Sequence, residues 1–212
     1  MFLKHILYWI VKNAFLIIFT LYNRLEVRGT ANIQANVPII LASNHASNAD
    51  PPLIGGAYPG RLRYIAKESL FRVPVLGFFI RALGAIPVSR EDSQRAGAVM
   101  KLMLDRLKDG ESILIFPEGT RSGDGRLKPL EGGAALLSVK SGVPILPVYI
   151  SGSHRFCPKG SLLPRPVKLT ITFAAPVFPD AGAMSDKEKR MKLMRELEES
   201  LVRMAGEVDQ HD

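Results

Sequence analysis

Three short runs, VPIILA at 37–42, ESILIF at 111–116 and VPILPVYI at 143–150, are apolar at almost every position and rich in branched side chains. Runs of that length and pattern read as strands buried inside a sheet. Three further segments, RLEVRG at 24–29, RLRYIAK at 61–67 and AIPVSR at 85–90, read as additional strands, and so does VKLTITFA at 167–174. Between them lie helical patterns. PVLGFFIRALG has Pro74 near its start and Gly84 just past its end, the usual placing of the two residues. In the segment 92–110, Ala96, Val99, Met100, Met103 and Leu107 line one face and Gly110 stops the helix. LEGGAALLSVKSG forms another, and a final helix begins at Ser185, which has capping-box spacing to Glu188. Strands that alternate with helices predict a single α/β domain with a largely parallel, mixed sheet flanked by helices.

The first 22 residues stand apart. MFLKHILYWIVKNAFLIIFTLY is apolar over most of its length, with His5, Lys12, Asn13 and Thr20 recurring near heptad spacing as one narrow polar stripe. As a helix it is about as long as a bilayer core is thick. It carries no clear small-residue cleavage site of a secretory signal. Three placements remain open: lying in a membrane surface, spanning it, or packed on its own domain. The reading adopted is a membrane-associating helix over 1–23, removable without unfolding the rest, followed by the α/β domain over 24–212. The net charge of +8 suits an anionic partner, whether nucleic acid, phosphorylated metabolite or lipid surface. The one cysteine, Cys157, allows no intrachain disulfide and no cysteine-based zinc site, and reads as a buried, inert thiol.

After VPIILA comes SNHASNADP, which sets His45 and Asp50 five positions apart. On one continuous helix they would point about 140° apart. They meet if His45 lies in the turn after the strand and Asp50 in the first turn of a helix, which Ser47, Asn48 and Asp50 favour as helix-start residues. An aspartate on one ring nitrogen fixes the tautomer and leaves the other nitrogen to take a proton. With no Gly-x-Ser-x-Gly elbow in the chain, the hydroxyl to be activated would belong to a substrate. From spacing alone, helix capping is the commoner explanation of such a pair. Metal binding would need a third ligand, and His5, His154 and His211 have no ligand spacing to it. Further on, FPEGTRSGDG has glycines that free the backbone, hydroxyls on Thr120 and Ser122, and the planar fork of Arg121. Arg90 and Lys67 end other strands, so three basic residues could converge on one anion.

Together these segments resemble the glycerolipid acyltransferases typified by 1-acylglycerol-3-phosphate acyltransferase. Four blocks match in order: Asn44, His45 and Asp50; then Gly84, Ile86, Pro87, Val88 and Arg90; then FPEGTRS at 116–122 without a gap; then the apolar VPILPV with Pro147. The resemblance covers roughly residues 24 to 175. It implies transfer of a fatty acyl group from acyl-CoA or acyl-carrier protein to the free hydroxyl of a lysophospholipid, with no metal and no bound cofactor. His45 is then the general base and Asp50 its orienter. Glu118, Gly119, Thr120 and Arg121 bind the acceptor's glycerol phosphate with help from Arg90 and Lys67, and Pro147 shapes the acyl or donor site. Backbone N–H groups near a helix start would meet the oxyanion. The implied partners are the two substrates and an anionic membrane surface, on the cytoplasmic face of the inner membrane. A lyso-ornithine lipid or another lysophospholipid could replace the acceptor, and a non-catalytic lipid-binding protein is a remoter reading. No motif supports binding to nucleic acid.

Overall fold

The computed structural model describes residues 2–34, 37–88, 94–156 and 164–209. Arg90 and Cys157 lie outside the described residues. Seven strands form one sheet: β1 (Glu26–Arg28), β2 (Ile40–Ser43), β3 (Leu62–Lys67), β4 (Ala85–Val88), β5 (Ser112–Ile115), β6 (Ile145–Ser151) and β7 (Thr170–Phe173). Their order is β1-β7-β6-β2-β5-β3-β4, parallel from β6 to β4, with β7 antiparallel to β6. The sheet is therefore mixed and largely parallel, as the alternation of elements predicts.

Among the described residues seven helices flank it: α1 (Phe2–Asn23), α2 (Asp50–Ala57), α3 (Pro74–Ala82), α4 (Gln94–Lys108), α5 (Gly133–Ser141), the single turn α6 (Ser153–Phe156) and α7 (Asp186–Asp209). On one face Val11 and Phe19 of α1, Leu53 and Ile54 of α2 and Phe79 of α3 share a core with Leu41, Leu114 and Val148 of the sheet. On the other face Met103 and Leu107 of α4, Leu137 of α5 and Leu193, Leu197 and Leu201 of α7 cover Ile40, Ile113 and Ile145. Central strands covered on both faces explain why VPIILA and its counterparts do not alternate. Ser185 and Glu188 make the capping box, the Ser185 N–H donating to Glu188 Oε2 at 2.9 Å and the Glu188 N–H to Ser185 Oγ at 3.4 Å. The sequence pattern did not mark α6 or the 3-10 turns Thr30–Asn32 and Glu68–Arg72. Each is too short to carry a period.

The polar stripe expected on α1 divides in two. Asn13 and Thr20 are exposed, but Lys12 is 3% exposed and points into the domain. Its ammonium donates to the carbonyls of Tyr58 and Gly60, where α2 ends, and lies 4.4 Å from the centre of the Trp9 ring. The last carbonyls of a helix lack intrahelical partners and carry partial negative charge, so they receive a cation well. Burial still pulls Lys12 down to about 8. At the other end of α1, buried Asn23 donates to the Arg165 and Val167 carbonyls ahead of β7. The helix is thus built into the core it was expected to leave intact on removal. Its outer face remains apolar, with Ile10, Ile17, Ile18, Leu21 and Tyr22 exposed.

Candidate active site

Parallel strands end on the same edge, and β2 delivers His45 there, two residues past Ser43. Asn44 sets the exit. Its side chain copies a peptide group, donating from Nδ2 to the Ile150 carbonyl at 3.0 Å and accepting the Ile150 N–H on Oδ1 at 2.7 Å. The pairing with β6 therefore continues one residue past β2, and the chain leaves the sheet at His45. The turn then runs into Asp50-Pro51-Pro52, the start of α2. Prolines fit a first helical turn, where their missing N–H would have had no partner.

Asp50 does not cap its own helix. Its Oδ2 folds back and accepts from the Ala46 N–H at 2.7 Å, the Ser47 N–H at 2.8 Å and His45 Nδ1 at 2.8 Å. A carboxylate only accepts, so Nδ1 carries the ring hydrogen and Nε2 presents its lone pair. The Asp50 side chain is buried, while that of His45 is 15% exposed. The imidazole is reachable and the carboxylate that orients it is sealed. The Ala46 and Ser47 amides, in the turn ahead of the helix, are committed to Asp50 and are not available to an oxyanion.

The loop after β5 grips His45 from the other side. The Phe116 ring stacks on the imidazole with centroids 3.9 Å apart and planes at 19°. The His45 N–H donates to Glu118 Oε1 at 2.8 Å, and the Ser122 N–H donates to the His45 carbonyl at 2.7 Å. Glu118 Oε2 accepts the Lys128 N–H at 3.0 Å. Burial pushes the Glu118 carboxyl up from its ordinary value, against the pull of these two N–H groups and of nearby Lys128. Both Glu118 oxygens hold backbone and the side chain is buried, so it ties the loop after β5 to the turn at His45, a contact that the expected phosphate-binding role did not include.

Gly119 has φ +67, in the left-handed region that glycine takes at little strain. Thr120 Oγ1 accepts from Lys128 Nζ at 3.3 Å, and the Arg121 carbonyl accepts from the same ammonium at 2.9 Å. Arg121 is half-buried on this loop. Lys67 is exposed at the end of β3. By strand register it is level with Asn44 but two strands away, roughly 10 Å. Pro147 is not brought to the edge. It is buried within β6 opposite Ala42, below the level of His45. Asn44, Phe116 and Lys128 are the residues that the reading of single positions left without a role. Asn44 and Phe116 sit inside recognised motifs, whereas no sequence signal marks Lys128.

The chain resembles known proteins along this same framework. It is 26% identical over 206 residues to the 1-acyl-sn-glycerol-3-phosphate acyltransferase of Bacillus subtilis, covering 96% of this chain and 100% of that one. It is 33% identical over 144 residues to the chloroplastic 1-acyl-sn-glycerol-3-phosphate acyltransferase of Brassica napus, covering 66% of this chain and 41% of that one. The chain thus spans about two fifths of the length of that plant relative. Among solved structures, the 1-acyl-sn-glycerophosphate acyltransferase PlsC of Thermotoga maritima superposes with a TM-score of 0.71 at 28% identity, over 94% of this chain and 79% of that one. A family model described as Acyltransferase matches residues 24–151, more than half the chain. That stretch runs from β1 to the end of β6 and contains every residue placed around His45, and by it the chain belongs to the Acyltransferase family.

Proposed function

We propose that the chain transfers a fatty acyl group from an acyl thioester to the free hydroxyl of 1-acylglycerol-3-phosphate, giving phosphatidic acid. The observation that carries this reading is the reachable imidazole whose Nδ1 is held by buried Asp50. The acceptor hydroxyl bonds to Nε2. As its oxygen attacks the thioester carbonyl carbon, the proton passes to Nε2 and Asp50 stabilises the imidazolium. The tetrahedral intermediate collapses, the C–S bond breaks, and the departing sulfur takes the proton from His45. This chemistry calls for neither a metal nor a bound cofactor. The test is a labelled transfer assay with lysophosphatidic acid and either acyl-CoA or acyl-carrier protein. Labelled phosphatidic acid is the expected product. Labelled free fatty acid in its place would mean that water is the acceptor, and would overturn the assignment.

Arg121 and Lys67, with Arg90, supply the charge for the acceptor's phosphate. Arg121→Lys is then expected to raise the acceptor KM, because an ammonium cannot reproduce the planar two-point fork. A KM and turnover unchanged in both Arg121→Lys and Arg121→Ala would remove Arg121 from the phosphate site.

The acceptor is a bilayer lipid, and the chain has a face suited to that surface. Leu21 of α1 is 78% exposed and Val75 of α3 is 70% exposed, and between the two helices Phe15 meets Phe79 edge to face. One face of α1 is in the domain core, so the reading is a helix lying in the bilayer surface. Because the donor's carrier is a cytoplasmic molecule, that surface is the cytoplasmic face of the inner membrane. Leu21→Glu and Val75→Glu are each expected to weaken co-sedimentation with anionic vesicles by roughly tenfold or more, the worth of one buried aliphatic side chain. Both sites face outward, so the melting temperature should hold. Undiminished vesicle binding in both variants would move the anchor elsewhere. Deleting α1 is the wrong test, because it would uncover the core around Leu53 and Ile54.

A further inference from the structure

The sheet edge at His45 has two flanks. Towards β3 lies Lys67. Towards β6 a cavity of 440 Å³ opens beside Ala46, the neighbour of His45. Arg126, His154 and Arg155 line it, together with Asp124 and with Ala205 of α7. Ala205 and the lining residue Tyr149 belong to the core under α4, α5 and α7. Ile150, also in the lining, belongs to the core under α1, so the cavity opens past the end of β6 rather than beneath either layer of helices, and none of its lining residues is among the exposed large apolar side chains.

We propose that this cavity seats the phosphate of a phosphopantetheine arm, the group that carries the acyl thioester. The proposal rests on the acyl-transfer reading above and adds to it a separate door for the donor. The two substrates must meet at Nε2 but come from different phases. The acceptor's chain keeps it in the bilayer, on the side of α1 and α3. The donor's carrier is water-soluble and needs an approach clear of that apolar face, which a polar cavity at the end of β6 provides. Its lining suits a phosphate and not an acyl chain. Two arginines face one carboxylate, and that carboxylate is engaged: Asp124 Oδ1 accepts from Ser122 Oγ at 2.9 Å and from the Arg126 N–H at 3.1 Å. The guanidinium groups leave a net positive wall, and their planar forks match phosphate oxygens.

The wall is also tied to the base. Gly125, at φ +82, packs so closely on His154 that no side chain would fit, which seats the loop carrying Arg126 against α6. Three residues before it, Ser122 donates its N–H to the His45 carbonyl. One loop thus lines the cavity and holds His45, so a phosphate anchored there is referenced to the base it must serve.

The experiment is steady-state kinetics on the full chain with lysophosphatidic acid in anionic vesicles, comparing Arg126→Ala, Arg155→Ala and the double variant with the parent. The donor KM is expected to rise roughly tenfold or more, the worth of a charge-assisted hydrogen bond, while the acceptor KM holds. Arg126→Lys should recover part of the loss. Running acyl-CoA and acyl-carrier protein as separate arms distinguishes the sources of the shared arm. A rise with both supports the proposal. A rise with acyl-CoA alone would assign the cavity to the nucleotide phosphates and overturn it. A rise in the acceptor KM, or no change in either, would overturn it too. Calorimetric titration with free coenzyme A separates this from the reaction itself. Binding weakened in the double variant keeps the cavity assignment even if the parent protein transfers no acyl group, and equal binding by parent and double variant counts against the cavity alone.

Discussion

His45→Ala is expected to lower turnover by roughly 10²- to 10⁴-fold, the usual loss when a positioned general base is removed. The variant should remain folded, because the ring is packed on one side by Phe116 and reachable on the other. Asp50→Asn should fall in the same range for a different reason. An amide at this position would have to accept from the Ala46 and Ser47 N–H groups through its oxygen, and it could then offer its NH₂ to Nδ1. That inverts the tautomer and places the hydrogen on Nε2, where the acceptor hydroxyl needs a lone pair. The distinguishing measurement is acyl transfer by purified protein under saturating donor and acceptor, with circular dichroism to confirm folding. Near-parental turnover in His45→Ala would eliminate the imidazole as the base.

Glu118→Ala is expected to act on stability and turnover together. It leaves the His45 and Lys128 N–H groups without their acceptor. Hydrogen bonds to a charged group are worth about 1.5–3 kcal/mol each. Burial already opposes the ionised carboxyl, so the lower part of the combined range, about 3 kcal/mol, is the reasonable figure. For a chain of this size that corresponds to a fall in Tm of roughly 6–12 °C. Turnover should fall roughly 10²-fold as well, because a base displaced by an ångström loses its alignment. Glu118→Gln keeps one good acceptor and should restore part of both. A residue that only touched the acceptor's phosphate would behave otherwise, with an intact Tm and a raised acceptor KM. That pattern would place Glu118 at the phosphate site.

The contrast between Asp50 and Glu118 shows what could be read from the chain. The His45–Asp50 contact spans five positions, so a strand followed by a helix start was enough to bring the two together. The Glu118 contact spans 73 positions and the Asn44–Ile150 pair 106. Both depend on β2 lying between β6 and β5, an order that no local period encodes. The strands and long helices were legible because their apolar spacing is set by the face each one buries. Lys12 was misjudged for a related reason. In an apolar helix an ammonium looks like the start of a wet stripe, yet three N–H donors on a long stem can serve the end of a neighbouring helix just as well. That neighbour, α2, is defined mainly by Asp50-Pro51-Pro52 rather than by periodicity.

The tie between Asn23 and the strand region before β7 also bears on the order in which the molecule is completed. The helix that carries Asn23 leaves the ribosome well before the Arg165 carbonyl it binds, which lies 142 positions later. At about 5–20 residues per second, that carbonyl is made some 7–30 s after the helix. β1 waits equally long for β7. During that interval the partners of α1 in α2 and α3 are made but those ahead of β7 are not, which leaves part of an apolar segment of 22 residues uncovered, a combination that favours aggregation in water. A bilayer surface offers the nascent helix a refuge for its outer face, and the later strands can then close over its inner one. On the membrane-surface reading proposed above, early contact with the bilayer is then also an aid to folding, independent of any need to reach a lipid substrate.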